Sequence, residues 1–217
     1  MRASAAADDP PTRHKRAPRS YIVGGEISES PITEDETLRK SNLAVLALAA
    51  LMAPPADTSA QMPSWKDIQV ADIETMKDKF IGLAEAFEES QYDWRPMEGV
   101  RSVREVLGLA IAEAHLFPGS WGHQPPAGTA SGFGPELERA AALSKPEMIE
   151  ELSSAFDFLV GVVRGMSESD RMAASTFFGR QMPVHANIAT AAADMHEHLG
   201  QLIAYARTNH VVPPWSR

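Results

Sequence analysis

The chain has 217 residues, no cysteine, and 20 Lys/Arg against 29 Asp/Glu, a formal charge of −9. That length holds one good-sized domain with a tail left over. The charge is uneven: residues 1–60 carry 7 basic and 8 acidic side chains, whereas 61–217 carry 13 and 21. A folded part that acidic repels phosphate backbones, and no basic stripe with interleaved aromatics is present, so nucleic acid is excluded as a partner. The absence of cysteine removes a disulfide framework, thiolate ligands, a cysteine nucleophile and a lipobox.

Residues 1–37 mix Pro, Arg, Asp and Ser with almost no periodicity, a composition expected to be disordered. Arg39-Lys40 then precede an apolar run from Leu43 to Ala53, followed by Pro54-Pro55 and Thr58-Ser59-Ala60-Gln61. This is the order of a signal peptide: a basic start, an apolar stretch, then small residues before a cleavage point. It places the signal at 38–60, cleavage after Ala60, and the mature domain at 61–217, periplasmic or secreted in a bacterium. The run is too short for a permanent span, which needs about 20 apolar residues. Because some 37 residues precede it, the expected translation start lies downstream of Met1, between Tyr21 and Leu38.

From Asp67 onward the pattern is helical. Ile73, Met76, Phe80, Leu83 and Phe87 form one apolar stripe. Tyr92 to Pro96 breaks it, since proline disfavours helix at the residue before it. Ser102 and Glu105 have the spacing of a capping box and open a second helix with Val103, Val106, Leu109, Ala110, Glu113 and Phe117 on its stripe. Pro118-Gly119 ends it, and residues 120–135, rich in glycine and proline, read as a loop long enough to cross a bundle. Ser144 and Glu147 announce a third helix, with Met148, Leu152, Ala155, Leu159, Val162 and Met166 buried. Residues 167–182 read as a further loop, with Phe177, Phe178 and Gly179 folding back on the core.

A fourth helix is expected from about Pro183 to Thr208, with Ile188, Ala191, Met195, Leu202 and Tyr205 inward. His198 falls on that stripe with Asp194 one turn before it. A carboxylate and an imidazole at i and i+4 point the same way and can share a metal ion or a proton, or form a buried structural pair. His196, two positions away, should face outward. Four amphipathic helices with no convincing strand give an all-α four-helix bundle.

Three stretches carry a family resemblance: Tyr92-Asp93-Trp94-Arg95-Pro96, Gly99 to Val106, and His196 to Arg207 with its His196-Glu197-His198-Leu199-Gly200-Gln201 core. Together they resemble the DinB-like (DinB/YfiT-like) metalloenzyme family over about 66–216, and the ending Pro213-Pro214-Trp215-Ser216 is similar to the tail of an exported subgroup. The resemblance implies a divalent metal held by three histidines in the bundle core, and metal-assisted chemistry on a small molecule, hydrolytic or thiol-dependent transfer. Carried over residue by residue, the helix-two ligand position is Leu109 and the helix-four positions are Asp194 and His198. One histidine of three survives, a degenerate triad.

Glu113, one turn beyond Leu109 on the same face, completes a two-carboxylate, one-histidine set with Asp194 and His198, suited to Zn, Ni, Mn or Fe. Without metal, Asp194 and His198 are the candidate catalytic pair, Asp194 orienting the imidazole as general base. A non-enzymatic stress-associated or ligand-binding bundle is the competing class, and a homodimer through helix faces is compatible with either. Gln201 reads as a tether from the fourth helix to a neighbour, Trp94 as packing over the bundle end, and His115 as a surface or loop-packing histidine. His123, His185 and His210 carry no spacing signal.

Overall fold

The structure, a computed structural model, describes residues 62–216. The expected disordered segment at 1–37, the signal at 38–60 and the proposed cleavage point lie outside the described residues. Within them six helices form: α1 (Trp65–Ala86), α2 (Val103–Leu116), α3 (Phe133–Ala141), α4 (Lys145–Gly165), α5 (Glu168–Met172) and α6 (Val184–Thr208). A two-stranded antiparallel hairpin, β1 (Ala174–Phe177) and β2 (Arg180–Pro183), sits between α5 and α6.

Capping chemistry sets four of the helix starts, that of the short α5 through Ser167 and Asp170. Ser64 accepts from Asp67 N at 3.1 Å while its own N–H donates to the Asp67 carboxylate. Ser102 and Glu105 repeat the arrangement at α2, where Ser102 N donates to Glu105 Oε2 at 2.6 Å. Ser144 and Glu147 do so at α4. Each box satisfies N–H groups that a helix start leaves without partners.

The long helices α1, α2, α4 and α6 make the bundle, with α1 and α2 on diagonal corners, each packed against α4 and α6. The segment after α1 therefore crosses the bundle end, as does the one after α4. The glycine-rich stretch after α2, expected to make the crossing, instead leads through α3 to the neighbouring α4. The stripe Ile73, Met76, Phe80, Leu83 and Phe87 is buried, and Phe80 packs on Phe156 at 5.7 Å. In α2 every residue from Val106 to His115 is buried. A helix apolar on most of its circumference belongs inside, and α3 covers the side that α4 and α6 leave open.

That covering is close. A Cβ on Gly108 would lie 2.8 Å from Ala141 N, so glycine lets the two helices meet. The loop reading of 120–135 fails at its end because Phe133 begins α3 there, with Pro135 in its first turn. The expectation of no strand fails at 174–183. The two-residue turn Phe178-Gly179 has φ of +47° and +72°, the both-positive geometry that matches hairpin twist. Phe177 is buried and Phe178 is not, so half of the expected aromatic return takes place.

The chain end closes the other pole. Tyr205 meets the Trp94 ring edge-on at 5.2 Å, and Pro213 is buried. Tyr92 donates its hydroxyl to Ala84 O at 2.8 Å, serving a carbonyl left free by the end of α1. Among the described residues no helix is long and apolar enough to cross a membrane.

Candidate metal centre between the second and sixth helices

The α2 row Leu109–Glu113 and the α6 row Asp194–His198 face each other across one bundle interface. His198 Nε2 lies 3.0 Å from Glu113 Oε1 and 3.9 Å from Asp194 Oδ2. One ligand atom from each of the three residues falls within 4.8 Å of the others. Donors about 2 Å from a common tetrahedral ion lie about 3.3 Å apart, so these separations bracket what one ion requires.

Burial sharpens the case. Glu113 is 1 % exposed, and its Oε2 has no hydrogen-bond partner. An orphaned carboxylate oxygen in a bundle core is costly unless a cation or donor reaches it. The His198 and Asp194 side chains are 18 % and 29 % exposed, so the cluster opens to solvent on the α6 side. Burial pushes the Glu113 carboxyl above its ordinary range, and His198 and Arg101 only partly offset this. His198 is pushed up chiefly by the Glu113 carboxylate, against the opposing effect of its own burial. Metal binding here would compete with protons, because both ligands must be deprotonated to hold a cation.

All three sequence-derived site residues therefore come together, but Asp194 is not the partner that holds the imidazole. At 3.9 Å it is beyond hydrogen-bond reach, and Glu113 takes that place. Leu109 is buried one turn from Glu113 and offers no donor. His196 points to α1, where Nε2 meets both Asp72 carboxylate oxygens at 3.1 Å. Gln201 donates to Tyr205 Oη at 2.6 Å, and Tyr205 donates to Arg101 O at 2.9 Å, so the tether runs through a tyrosine.

His115 is not at the surface but packs beneath the segment that follows α2. It is 3 % exposed, with Nδ1 2.9 Å from Glu136 Oε1 on α3. Glu136 also accepts from Arg139 at 2.7 and 2.8 Å and from Ala130 N at 2.7 Å. Burial alone would raise this carboxyl, but those donors overcome it and hold it at about 2. His115, Glu136 and Glu151 also lie within reach of one ion. The Arg139 guanidinium already bridges Glu136 and Glu151, the latter at 2.7 Å, so this second group is an internal ion network. Sequence reasoning missed it because α3 begins inside the stretch read as loop at 120–135 and its acid, Glu136, falls just beyond with no helix assigned; Pro135-Glu136 at a helix start was the available signal.

Against known proteins, the sequence matches the family model of the DinB superfamily over residues 72–202, more than half of the chain. The chain belongs to the DinB superfamily. Solved structures agree on the fold of this DinB chain. A DinB-like protein from Bacillus cereus is 13% identical, with a TM-score of 0.57 over 67% of this chain and 93% of that one. YfiT from Bacillus subtilis, described as a probable metal-dependent hydrolase with an unusual four-helix bundle topology, is 15% identical, with a TM-score of 0.53 over 73% and 93%. A mycothiol-dependent maleylpyruvate isomerase is 13% identical, with a TM-score of 0.51 over 65% of this chain and 63% of that one. No curated protein matches.

Proposed function

We propose that this DinB chain binds one divalent metal through Glu113, Asp194 and His198 and uses it in chemistry on a small molecule. The observation that carries the reading is the orphaned Glu113 Oε2 within a three-donor group. The donor set is two oxygens and one nitrogen, which suits Zn, Ni, Mn or Fe and leaves a coordination position for water or substrate. The metal would supply a Lewis acid and an acidified water. The chain's own part is to hold the donors. Glu113 is fixed on the most buried helix, and α6 sets Asp194 and His198 one turn apart.

Hydrolysis is the reaction class we favour. The site is open on the α6 side, where water has access, and a relative of the same fold is described as a probable metal-dependent hydrolase. Thiol-dependent transfer is the alternative, the maleylpyruvate isomerase relative being mycothiol-dependent. The 3.0 Å Glu113–His198 pair favours a second, metal-free reading in which Glu113 orients His198 as a general base. A third, the non-enzymatic ligand-binding bundle, uses neither. Elemental analysis of the purified full chain separates them. The proposal requires near-stoichiometric Zn, Ni, Mn or Fe in wild type and its loss in His198→Ala; a metal-free, folded wild type that takes up none of the four ions rules it out.

We further propose that the domain is exported as a member of the exported subgroup, with residues 38–60 acting as signal and 61–217 as mature protein. This rests on the residue pattern alone. N-terminal sequencing of the exported protein should begin at Gln61, and a mature chain retaining Ser4–Arg19 would contradict it.

A further inference from the structure

The α2 row that carries Glu113 runs on toward the end of the helix to Phe117. Phe117 keeps helical backbone angles and its N–H donates to Glu113 O, so its side chain lies one turn further along the same face. It also borders a small apolar hollow together with Ala191 and Met195 of α6. Those two residues flank Asp194, Ala191 one turn before it and Met195 next to it. Phe117 thus adjoins the proposed metal centre on both helices that build it, following Glu113 on α2 and meeting the neighbours of Asp194 on α6.

Phe117 is only 7 % exposed, yet it is the hub of an aromatic cluster that reaches the surface. Phe177 meets it edge-on at 4.9 Å and Phe178 at 5.9 Å, while Phe133 stacks on it at 6.3 Å with an interplanar angle of 19°. Phe133 opens α3, and Phe178 is at the tip of the hairpin, which rests on α6 and on the turn after α2. These two residues stay 40 % and 62 % exposed.

Two features set the exposed rings apart. Phe178 occupies a turn position with φ of +47°, where a bulky side chain is disfavoured and asparagine or glycine serves better. A ring that gains little burial there is a strained choice, and strain of that kind collects at ligand contacts. The surroundings are also free of acid. Residues 118–135 and 173–183 hold no Asp or Glu, and Arg180 alone among Lys and Arg, in a domain with 21 acids. An uncharged aromatic shelf beside polar donors fits a ligand that is apolar at one end and polar at the other.

We propose that Phe117, Phe133 and Phe178 form the subsite for an aromatic group of the substrate, whose reacting group lies at Glu113, Asp194 and His198. The substrate is then a small ring-bearing molecule with a metal-binding polar group, rather than a wholly polar one. Phe133 lies close to parallel with the Phe117 ring and Phe178 nearly at right angles to it, so an aromatic guest finds both stacked and edge-on contacts.

The inference rests on the proposed metal centre, and its test separates the two. Zinc-loaded full-length protein is titrated calorimetrically with phenylacetohydroxamate and with acetohydroxamate, which share the chelating group and differ by the ring. Wild type should bind the phenyl compound about tenfold more tightly, as aromatic contacts imply. Phe178→Asn and Phe133→Ser should each cut that preference about threefold, with zinc affinity unchanged. Phe178→Asn also gives the turn a favoured residue, so that variant should melt no lower than wild type. A weaker ring preference in an equally stable protein is what a purely structural role for Phe178 does not produce. Zinc that binds, with no preference for the ring or with a preference that survives both substitutions, overturns the subsite and leaves the metal centre standing. A folded protein that takes up no zinc overturns the metal reading, and this one with it.

Discussion

Glu113 Oε1 and His198 Nε2 approach to 3.0 Å between two helices that meet across the bundle, and the second Glu113 oxygen faces no donor. An acid and an imidazole so placed are coupled to pH. The Glu113 carboxyl is raised from 4.5 by burial, so the unfolded chain ionises first and folded stability declines as pH climbs past 4.5. His198 is raised from 6.5 by Glu113, so its contribution is complete below 6.5 and is lost as pH rises through the folded value. Both signs agree. The metal-free protein should melt at lower temperature at about pH 8 than at about pH 5.5, and His198→Ala should flatten that slope. With zinc present the slope should reverse, because the ion binds the deprotonated ligands. Differential scanning calorimetry across that range, with and without zinc, is the check.

Leu109 occupies the place where the family resemblance puts a histidine, one turn from Glu113 and buried. Leu109→His should supply a fourth donor and tighten zinc binding, while costing about 1–3 kcal/mol of metal-free stability for the buried polar group. Calorimetric titration and thermal melting of the one variant test both signs together. Unchanged zinc affinity in a folded variant would show that the Leu109 position does not face the centre.

Glu136 ties α3 to α2 and α4 through His115, Arg139 and, by way of Arg139, Glu151. Glu136→Gln leaves the part-exposed Arg139 with Glu151 alone and weakens the bonds to His115 and Ala130, at a cost of about 1–3 kcal/mol. Because the carboxyl sits at about 2 rather than 4.5, its contribution is present above 4.5 and is lost as pH falls toward about 2. Urea unfolding of wild type and variant at neutral pH and at about pH 3 should show the gap between them narrowing in acid.

Gly108 is the contact point of α2 with α3. Gly108→Ala drives a Cβ to 2.8 Å from the Ala141 backbone, where no flexible side chain can give way. The expected loss is about 1–3 kcal/mol, even though alanine is the better helix former. A more stable variant, measured by the same unfolding, would mean that α3 can move away freely.

Much of the bundle was legible because its signals are local. The Ser102/Glu105 and Ser144/Glu147 boxes marked helix starts, and the apolar stripe from Ile73 to Phe87 and that of the last helix marked buried faces. Helical spacing also put Asp194 and His198 on one face, and the family resemblance, through the Leu109 position one turn away, pointed to Glu113. It could not show that Glu113, rather than Asp194, would meet the imidazole, since that depends on the axial offset of two helices far apart in sequence. The β-hairpin was hidden because its strands have four residues each and its turn uses phenylalanine at a positive φ, where asparagine or glycine is the usual cue. His115 looked exposed because its partner lies on α3, a helix of nine residues behind a glycine-rich lead.

The measurement that bears most directly on the account is zinc titration of the full-length protein by isothermal calorimetry, in wild type, Glu113→Gln and His198→Ala. One zinc per chain is predicted for wild type. Each substitution should weaken it by more than the roughly 10–100-fold that loss of an outer-shell partner costs. Binding that survives both substitutions, or a folded wild type that takes up no zinc, nickel, manganese or iron, would contradict a metal centre at Glu113, Asp194 and His198.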